Sequence, residues 1–253
     1  MHVESVGHGP DCVLIHGWAM HAGIFAPLTR LLATRLRVHL VDLPGHGLST
    51  DEATCDARDC AERLAAQLPR ALWIGWSLGG VVALQAALAH ATRVRGLVEI
   101  AASPRFTVAV DWPHAVEASV FAEFGAGLYN EYRRTIERFL ALEALGSSHA
   151  QAELRELRAH VFERGEPTLG ALQDGLRVLD RTDLRAALAR LAVPSLWLAG
   201  RRDRLVPAAA MRWAAEHAPG GAYREFPSGH APFIAHADAV AAAIFEFEAS
   251  LPQ

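Results

Sequence analysis

One serine stands among small residues at the junction of a strand-like run and a helix-like run. The motif reads Gly-Trp-Ser-Leu-Gly over residues 75–79, with Ser77 at its centre and a further glycine at Gly80. This spacing is typical of a nucleophile elbow, in which small neighbours let two backbones approach and a sharp turn exposes the serine hydroxyl. The alternative is a glycine-rich turn with a helix-capping serine. The flanking strand and helix patterns favour the nucleophile.

A serine nucleophile needs a base and an acid, and the elbow predicts their order as Ser, Asp or Glu, then His. Asp203 follows a late strand-like run, and His230 follows the last one. Asp180 and Asp183 precede a strand, which places them at the opposite end of a parallel sheet. Other candidates fit the order poorly: Asp42, His16, His21, His46 and His236.

These residue types predict acyl transfer. Ser77 attacks a carbonyl, His230 takes the serine proton and returns it to the leaving alcohol, and Asp203 orients and stabilises the imidazolium. An oxyanion needs two N–H donors, one after the nucleophile and one from the loop after an early strand. We expect these donors to be the N–H groups of Leu78 and Trp18. This chemistry requires no cofactor.

The elements that must position these residues are visible as short apolar runs separated by helix-like segments. The runs cover 11–17, 37–47, 71–77, 94–103, 193–203 and 222–230, and the helix-like segments cover 24–35, 57–67, 79–91, 208–217 and 237–249. Alternating strands and helices predict an α/β protein with a doubly wound, mostly parallel sheet. Loops at the carboxyl ends of such strands carry function.

The middle of the chain has a different pattern. From 112 to 188 the apolar residues recur at helical spacing and no strand pattern is found. We therefore predict a helical lid over 112–188, inserted into an α/β-hydrolase core formed by 1–111 and 189–253.

Composition excludes several function classes. A net charge of −4 over 253 residues gives no overall basic footprint for nucleic acid. No HExxH, GxGxxG or GxxxxGK[ST] motif is present, so neither a metal nor a nucleotide site is predicted. The chain shows no signal-peptide pattern and no apolar run of membrane-spanning length. A cytoplasmic location without membrane association is the expectation.

Several motifs together resemble a known family. They are "LIHGW" at 14–18, "VDLPGHG" at 41–47, "GWSLGG" at 75–80, "RRTIERFLALEALG" at 133–146 and "GHAPFIAH" at 229–236. Taken together, they resemble the pimeloyl-[acyl-carrier protein] methyl ester esterases of biotin synthesis, within the α/β-hydrolase superfamily. The likeness spans almost the whole chain, and the lid and histidine motifs are its most specific parts.

The resemblance implies a reaction and a set of residues. The family removes the methyl ester of pimeloyl-[acyl-carrier protein] and releases methanol. The resemblance assigns the triad to Ser77, Asp203 and His230, and the oxyanion site to Trp18 and Leu78. It also implies an acyl channel lined by one lid segment: Phe139, Leu140, Ala141, Leu142 and Glu143. The partner is an acyl-carrier protein, and a monomer is expected.

Four lid arginines suit such a partner. Arg134 and Arg138 are four residues apart and share a helix face, and Arg155 and Arg158 lie on the next helix. Carrier proteins are acidic and their phosphopantetheine arm holds a phosphodiester, which arginine binds by charge-assisted hydrogen bonds. Lid glutamates offer the competing interpretation, a solvated face with internal ion pairs.

Two positions depart from the family pattern. Ala19 stands where the family has glycine, and Gln151 stands where it has a basic residue.

The alternative functions are a broad esterase or lactonase for short acyl groups and a non-catalytic binding protein on the same fold. The intact Ser, Asp and His set argues against the last of these.

Overall fold

The computed structural model describes residues 1–50 and 56–252, which build a seven-stranded sheet. The strands are β1 (Val3–Gly7), β2 (Asp11–Ile15), β3 (Arg37–Val41), β4 (Ala71–Trp76), β5 (Val94–Ile100), β6 (Ser195–Gly200) and β7 (Gly221–Phe226). Their order is β1-β3-β2-β4-β5-β6-β7. β1 pairs antiparallel with β3, and the other neighbours are parallel. The predicted mostly parallel sheet is confirmed.

Burial explains which strands were visible in the sequence. Every residue of β4 and β6 is buried, as expected for strands covered on both faces. β1 was not predicted, because four of its five residues are exposed and its backbone pairing with β3 leaves no apolar run.

Helices cover both faces of this sheet. They are α1 (Ala26–Leu32), α2 (Ala57–Gln67), α3 (Leu78–Ala89), α8 (Ala208–His217), α9 (Pro232–Ala235) and α10 (Ala237–Ser250), with 3-10 turns at Ala22–Phe25, Gly47–Ser49 and Arg185–Arg190. On β5, a Cβ at Gly96 would contact Phe247 of α10, whereas Glu99 lies against Gly80 of α3. The two positions are three residues apart, so α10 and α3 lie on opposite faces.

Four further helices lie between β5 and β6. They are α4 (Ala118–Asn130), α5 (Tyr132–Ala144), α6 (Ala150–Val161) and α7 (Leu169–Arg181). α4 packs on α5 and α7, and α5 packs on α6. Two isolated bridges, Thr107 with Val116 and Ala109 with Trp112, lead into this group.

The connection between α6 and α7 is bonded to the core. Arg164 reaches Asp42 and Glu4, each at 3.3 Å. The N–H of Thr168 donates to the carbonyl of Gly45 at 2.8 Å. These contacts hold the helical segment against the loop that follows β3, on the side of the sheet where the site lies.

Candidate active site

Ser77 occupies a strained turn between β4 and α3. Its φ of 55° and ψ of −118° lie outside the ordinary regions for a residue with a side chain. The flanking glycines make the turn possible: a Cβ at Gly75 would lie 2.5 Å from the Cα of Gly80, and one at Gly79 would lie 2.6 Å from the carbonyl oxygen of His16. The backbone therefore has the geometry of a nucleophile elbow.

Asp203 and His230 are joined by a short buried hydrogen bond. His230 Nδ1 lies 2.7 Å from Asp203 Oδ2, and neither side chain is exposed to solvent. The other carboxylate oxygen, Oδ1, accepts the N–H groups of Leu205 at 2.8 Å and Val206 at 2.9 Å. These bonds fix the carboxylate, which in turn holds the imidazole with Nδ1 protonated and Nε2 free to act as a base.

The local charges favour a protonated imidazole. Burial lowers the pKa of His230, but the charge and hydrogen bond of Asp203 and the charge of Glu143 outweigh burial and raise it above the ordinary value. An imidazolium formed during a reaction is therefore stabilised in place.

Ser77 Oγ and His230 Nε2 are both buried, and neither has a hydrogen-bond partner among residues 1–50 and 56–252. The serine-to-histidine bond of a working triad is thus not formed here, as is common before substrate binds. Trp76 connects the two loops instead: its Nε1–H donates to the carbonyl of His230 at 2.9 Å. Sequence reasoning gave Trp76 no role, although it precedes the serine.

The two expected oxyanion donors flank the elbow. Leu78 is the first residue of α3, so its N–H has no carbonyl one turn earlier to bond. Trp18 follows β2, and a Cβ at the preceding Gly17 would lie 3.2 Å from the Cβ of Ser77. Ala19 has a φ of 62°, a conformation that costs a residue with a side chain about 1–2 kcal/mol. A glycine at this position would remove that cost.

Two of the rejected candidates, His16 and Asp42, have structural partners. His16 Nε2 accepts the N–H of Leu43 at 2.9 Å, and burial lowers the pKa of His16 to about 3. Burial likewise lowers the pKa of His46 to about 4. Asp42 accepts the N–H groups of Ala22 and Leu48 and so braces two loops.

The rival acid Asp183 is also engaged elsewhere. Its carboxylate lies 2.8 Å from guanidinium nitrogens of both Arg185 and Arg105. The hydrogen bond from Arg185, together with that from Arg105, lowers the pKa of Asp183 to about 2. This acid joins the end of the helical segment to the core.

The lid segment expected to line an acyl channel is split between two faces of α5. Phe139 and Leu140 are fully buried, and the Phe139 ring lies 4.5 Å from that of Trp18. Leu142 is half-buried. The expectation for Ala141 does not agree with the structure, because helical periodicity turns Ala141 toward solvent.

A small cavity of about 30 Å³ adjoins the elbow on another side. Leu78 lines it, together with His46 of the loop after β3 and Gly175 and Val178 of α7. A Cβ at Gly175 would lie 2.7 Å from Trp18 Cδ1 and 3.1 Å from Leu78 Cδ2. Helix α7 thus lies directly over both oxyanion candidates, a contribution that sequence reasoning missed. A glycine inside an amphipathic helix was the available signal.

The four lid arginines differ in their surroundings. Arg134 pairs with Glu131 at 3.0 Å, and Arg158 pairs with Glu137 at 2.6 Å. Among residues 1–50 and 56–252, the hydrogen-bond partner found for Arg138 is the hydroxyl of Thr135, at 3.3 Å. Arg155 is exposed on α6, and no ion pair involving it is found in the described part of the chain. Two arginines therefore have lid glutamates as partners, and two remain available to a ligand.

Residues 1–50 and 56–252 contain no group of three or more His, Cys, Asp or Glu side chains placed to hold a metal ion. Within the same ranges, no helix has the length and apolar character needed to cross a bilayer.

The chain is similar to known proteins in both sequence and fold. The family model described as "Alpha/beta hydrolase family" matches residues 12–243. The chain is 56% identical over 254 residues to the pimeloyl-[acyl-carrier protein] methyl ester esterase of Xanthomonas campestris pv. campestris (strain B100), covering 100% of both chains. It is 55% identical over 253 residues to the protein of that name from Stenotrophomonas maltophilia (strain R551-3), covering 99% of this chain and 97% of the relative.

Solved structures support the fold. An esterase from Exiguobacterium antarcticum superposes with a TM-score of 0.85 at 21% identity, covering 98% of this chain and 95% of that one. The enol-lactonase from Burkholderia xenovorans LB400 superposes with a TM-score of 0.85 at 20% identity, covering 98% of this chain and 96% of that one.

Proposed function

The chain belongs to the alpha/beta hydrolase family, and from that premise we propose that it is a serine carboxylesterase that hydrolyses the methyl ester of pimeloyl-[acyl-carrier protein] in biotin biosynthesis. The buried 2.7 Å hydrogen bond between Asp203 and His230, beside the Ser77 elbow, carries the chemistry. The full-length identity to esterases of that name supports the substrate.

The reaction follows from the positions of these groups. Ser77 Oγ attacks the ester carbonyl while His230 Nε2 takes the hydroxyl proton. The negative charge on the carbonyl oxygen is received by the N–H groups of Leu78 and Trp18. Collapse of this intermediate breaks the bond to the methoxy oxygen, and His230 returns the proton to release methanol.

The second half of the reaction regenerates the serine. His230 takes a proton from water, whose oxygen attacks the acyl carbon. The bond to Ser77 Oγ then breaks, His230 protonates that oxygen, and the pimeloyl chain leaves with a free carboxyl group. Throughout, Asp203 stabilises each imidazolium that forms.

We assign the lid to residues 112–188 and the core to 1–111 and 189–253. Phe139 and Leu140 of α5 and the small cavity beneath α7 mark the apolar region in which we place the chain of methylene groups. We propose that the protein acts in the cytoplasm and is a monomer. Sedimentation or size-exclusion measurements on purified protein test the monomer.

The carrier protein is proposed to bind the outer lid face through Arg138 and Arg155. Arg134 and Arg158 contribute after exchanging their lid glutamates for carrier carboxylates or phosphate. Each exposed pair is worth up to about 1 kcal/mol, or about a fivefold change in affinity. Changing Arg138 and Arg155 to Gln should raise KM for the carrier-bound ester and leave hydrolysis of a small free ester unchanged.

The control for those variants is Arg30→Gln, which removes an exposed arginine from α1, outside the lid. This variant should behave as wild type on both substrates. If the lid variants lose activity equally on both substrates, the loss reflects a folding defect. If KM for the carrier-bound ester is unchanged, the arginines do not bind the carrier protein.

The substrate is tested with purified protein and pimeloyl-[acyl-carrier protein] methyl ester, followed by intact-mass spectrometry of the carrier. The wild type should convert the methyl ester to the acid, and Ser77→Ala should not. Expression in a biotin auxotroph lacking its own esterase should restore growth for the wild type alone. If the protein hydrolyses p-nitrophenyl butyrate but not the carrier-bound ester, the proposed esterase activity stands and the proposed substrate is wrong.

A further inference from the structure

Glu143 is a buried acid that contacts the histidine loop directly. It lies near the end of α5, and its backbone carbonyl accepts the N–H of His230 at 3.1 Å. A Cβ at the neighbouring Gly229 would lie 2.9 Å from the same carbonyl oxygen. The lid and the proposed catalytic histidine are therefore in direct contact at this residue.

The carboxyl group of Glu143 has no conventional partner. Both oxygens are buried, and neither has a hydrogen bond to any part of the chain that the structure describes. The residue as a whole is 1% exposed. A buried and unbonded carboxylate is costly, so the group needs either a proton or a nearby positive charge.

The charges around Glu143 come from three elements. His230 and Asp203, on loops after β7 and β6, both act on its carboxyl group. From α6, Glu153 approaches the same Gly229, with Oε2 at 3.3 Å from a Cβ placed there. The Nε of Arg204 would lie 3.5 Å from a Cβ at Gly146, just beyond the end of α5. His230 is thus the group able to supply a positive charge directly to this carboxyl.

We propose that Glu143 is a positioning residue for His230, holding the histidine loop through its backbone carbonyl and setting, through its carboxyl group, the pH at which the imidazole becomes a free base. This inference rests on the role proposed above for His230. It assigns Glu143 to the histidine rather than to the acyl chain.

The protonation states of the two groups are coupled through their charges. Burial raises the pKa of Glu143 to about 8, although the charge of His230 opposes the rise. One proton on the pair therefore has two positions: on the carboxyl group with a neutral imidazole, or on the imidazole with a carboxylate beside it. Only the first form leaves His230 able to accept the proton of Ser77.

Glu143→Gln removes the second form. The amide keeps the shape and the backbone carbonyl but cannot become negative, so the imidazolium loses one stabilising charge. The pH at half-maximal kcat/KM should then fall by about 0.5–1 unit, less than the 1–3 units of a close fully ionised pair. The plateau rate should stay close to that of wild type, because the amide keeps the backbone carbonyl that accepts the N–H of His230.

The experiment measures kcat/KM for p-nitrophenyl butyrate from about pH 5 to about pH 9. Glu143→Met provides a second variant without the charge and should shift the profile in the same direction. The matched control is Glu153→Gln, a buried acid whose Oε1 accepts the hydroxyl of Ser147 at 2.6 Å. Its profile should keep the wild-type midpoint.

The outcomes separate this inference from the proposed function. If Ser77→Ala and His230→Ala are inactive but both Glu143 variants keep the wild-type midpoint, the role of Glu143 is overturned and the esterase stands. If His230→Ala is as active as wild type, the proposed function fails with it. A fall in rate without a midpoint shift would leave Glu143 as a purely structural residue and would also refute the inference.

Discussion

Asp203→Asn is the substitution whose outcome the structure defines most closely. Asp203 Oδ1 accepts two backbone N–H groups, so the amide oxygen of an asparagine must take that position. The amide nitrogen then lies where Oδ2 was, 2.7 Å from His230 Nδ1. Because this nitrogen can only donate, the imidazole must carry its own proton on Nε2, the atom that should receive the proton of Ser77.

The expected loss is large and confined to the chemical step. By analogy with other triads, kcat should fall by about 10⁴-fold, or about 5.4 kcal/mol in the barrier. Thermal stability should change little, since both backbone donors keep their acceptor. Asp203→Ala would leave both N–H groups unpaired, at about 1–3 kcal/mol each, and should lower Tm as well as activity.

The assay is steady-state hydrolysis of p-nitrophenyl butyrate, with Tm measured on the same preparations. Asp180→Asn, which removes an acid near the end of α7, is the control and should keep full activity. A kcat for Asp203→Asn within tenfold of wild type, in a protein of unchanged Tm, would refute the assignment of the acid and its tautomer.

Three further predictions concern the elbow, the core and the lid. Gly79→Ala should lower the free energy of unfolding by about 1–3 kcal/mol and abolish activity, because the new Cβ would overlap the carbonyl oxygen of Ile15. Denaturant unfolding measures the loss of stability. An active and stable variant would contradict the elbow geometry. Burial raises the pKa of Glu99 well above 4.5, so the folded protein holds a proton that the unfolded chain releases, and stability falls as pH rises. The stability gain of Glu99→Gln should therefore grow by about 1.4 kcal/mol per pH unit above about pH 4.5, and a pH-independent difference would refute this. Trp18→Phe removes the indole N–H that donates to the carbonyl of Leu172 at 2.8 Å. The free energy of unfolding, measured in denaturant, should fall by about 1 kcal/mol. An unchanged value would show that this hydrogen bond does not hold α7.

The core of the fold was predictable because its strands are buried on both faces. β4 and β6 give continuous apolar runs in the sequence, and the order of Ser77, Asp203 and His230 follows from the loops after such strands. β1 was not predictable in this way, since its place depends on backbone pairing with β3 rather than on apolar side chains.

The lid was predictable as helices but not as a surface. Which side of α5 faces the core depends on its packing against α4 and α6, and this packing turns Ala141 outward. The position of Gly175 against Trp18 joins residues far apart in the chain and depends on the path of the whole lid. Local patterns contain no information on such long-range contacts.

The measurement that tests the central claim most directly is labelling with a fluorophosphonate followed by tandem mass spectrometry of the peptides. A serine activated by His230 should form a covalent phosphonyl adduct on Ser77, and the adduct should disappear in His230→Ala. An adduct on any other residue, or a wild-type protein that hydrolyses p-nitrophenyl butyrate without being labelled at Ser77, would contradict the account.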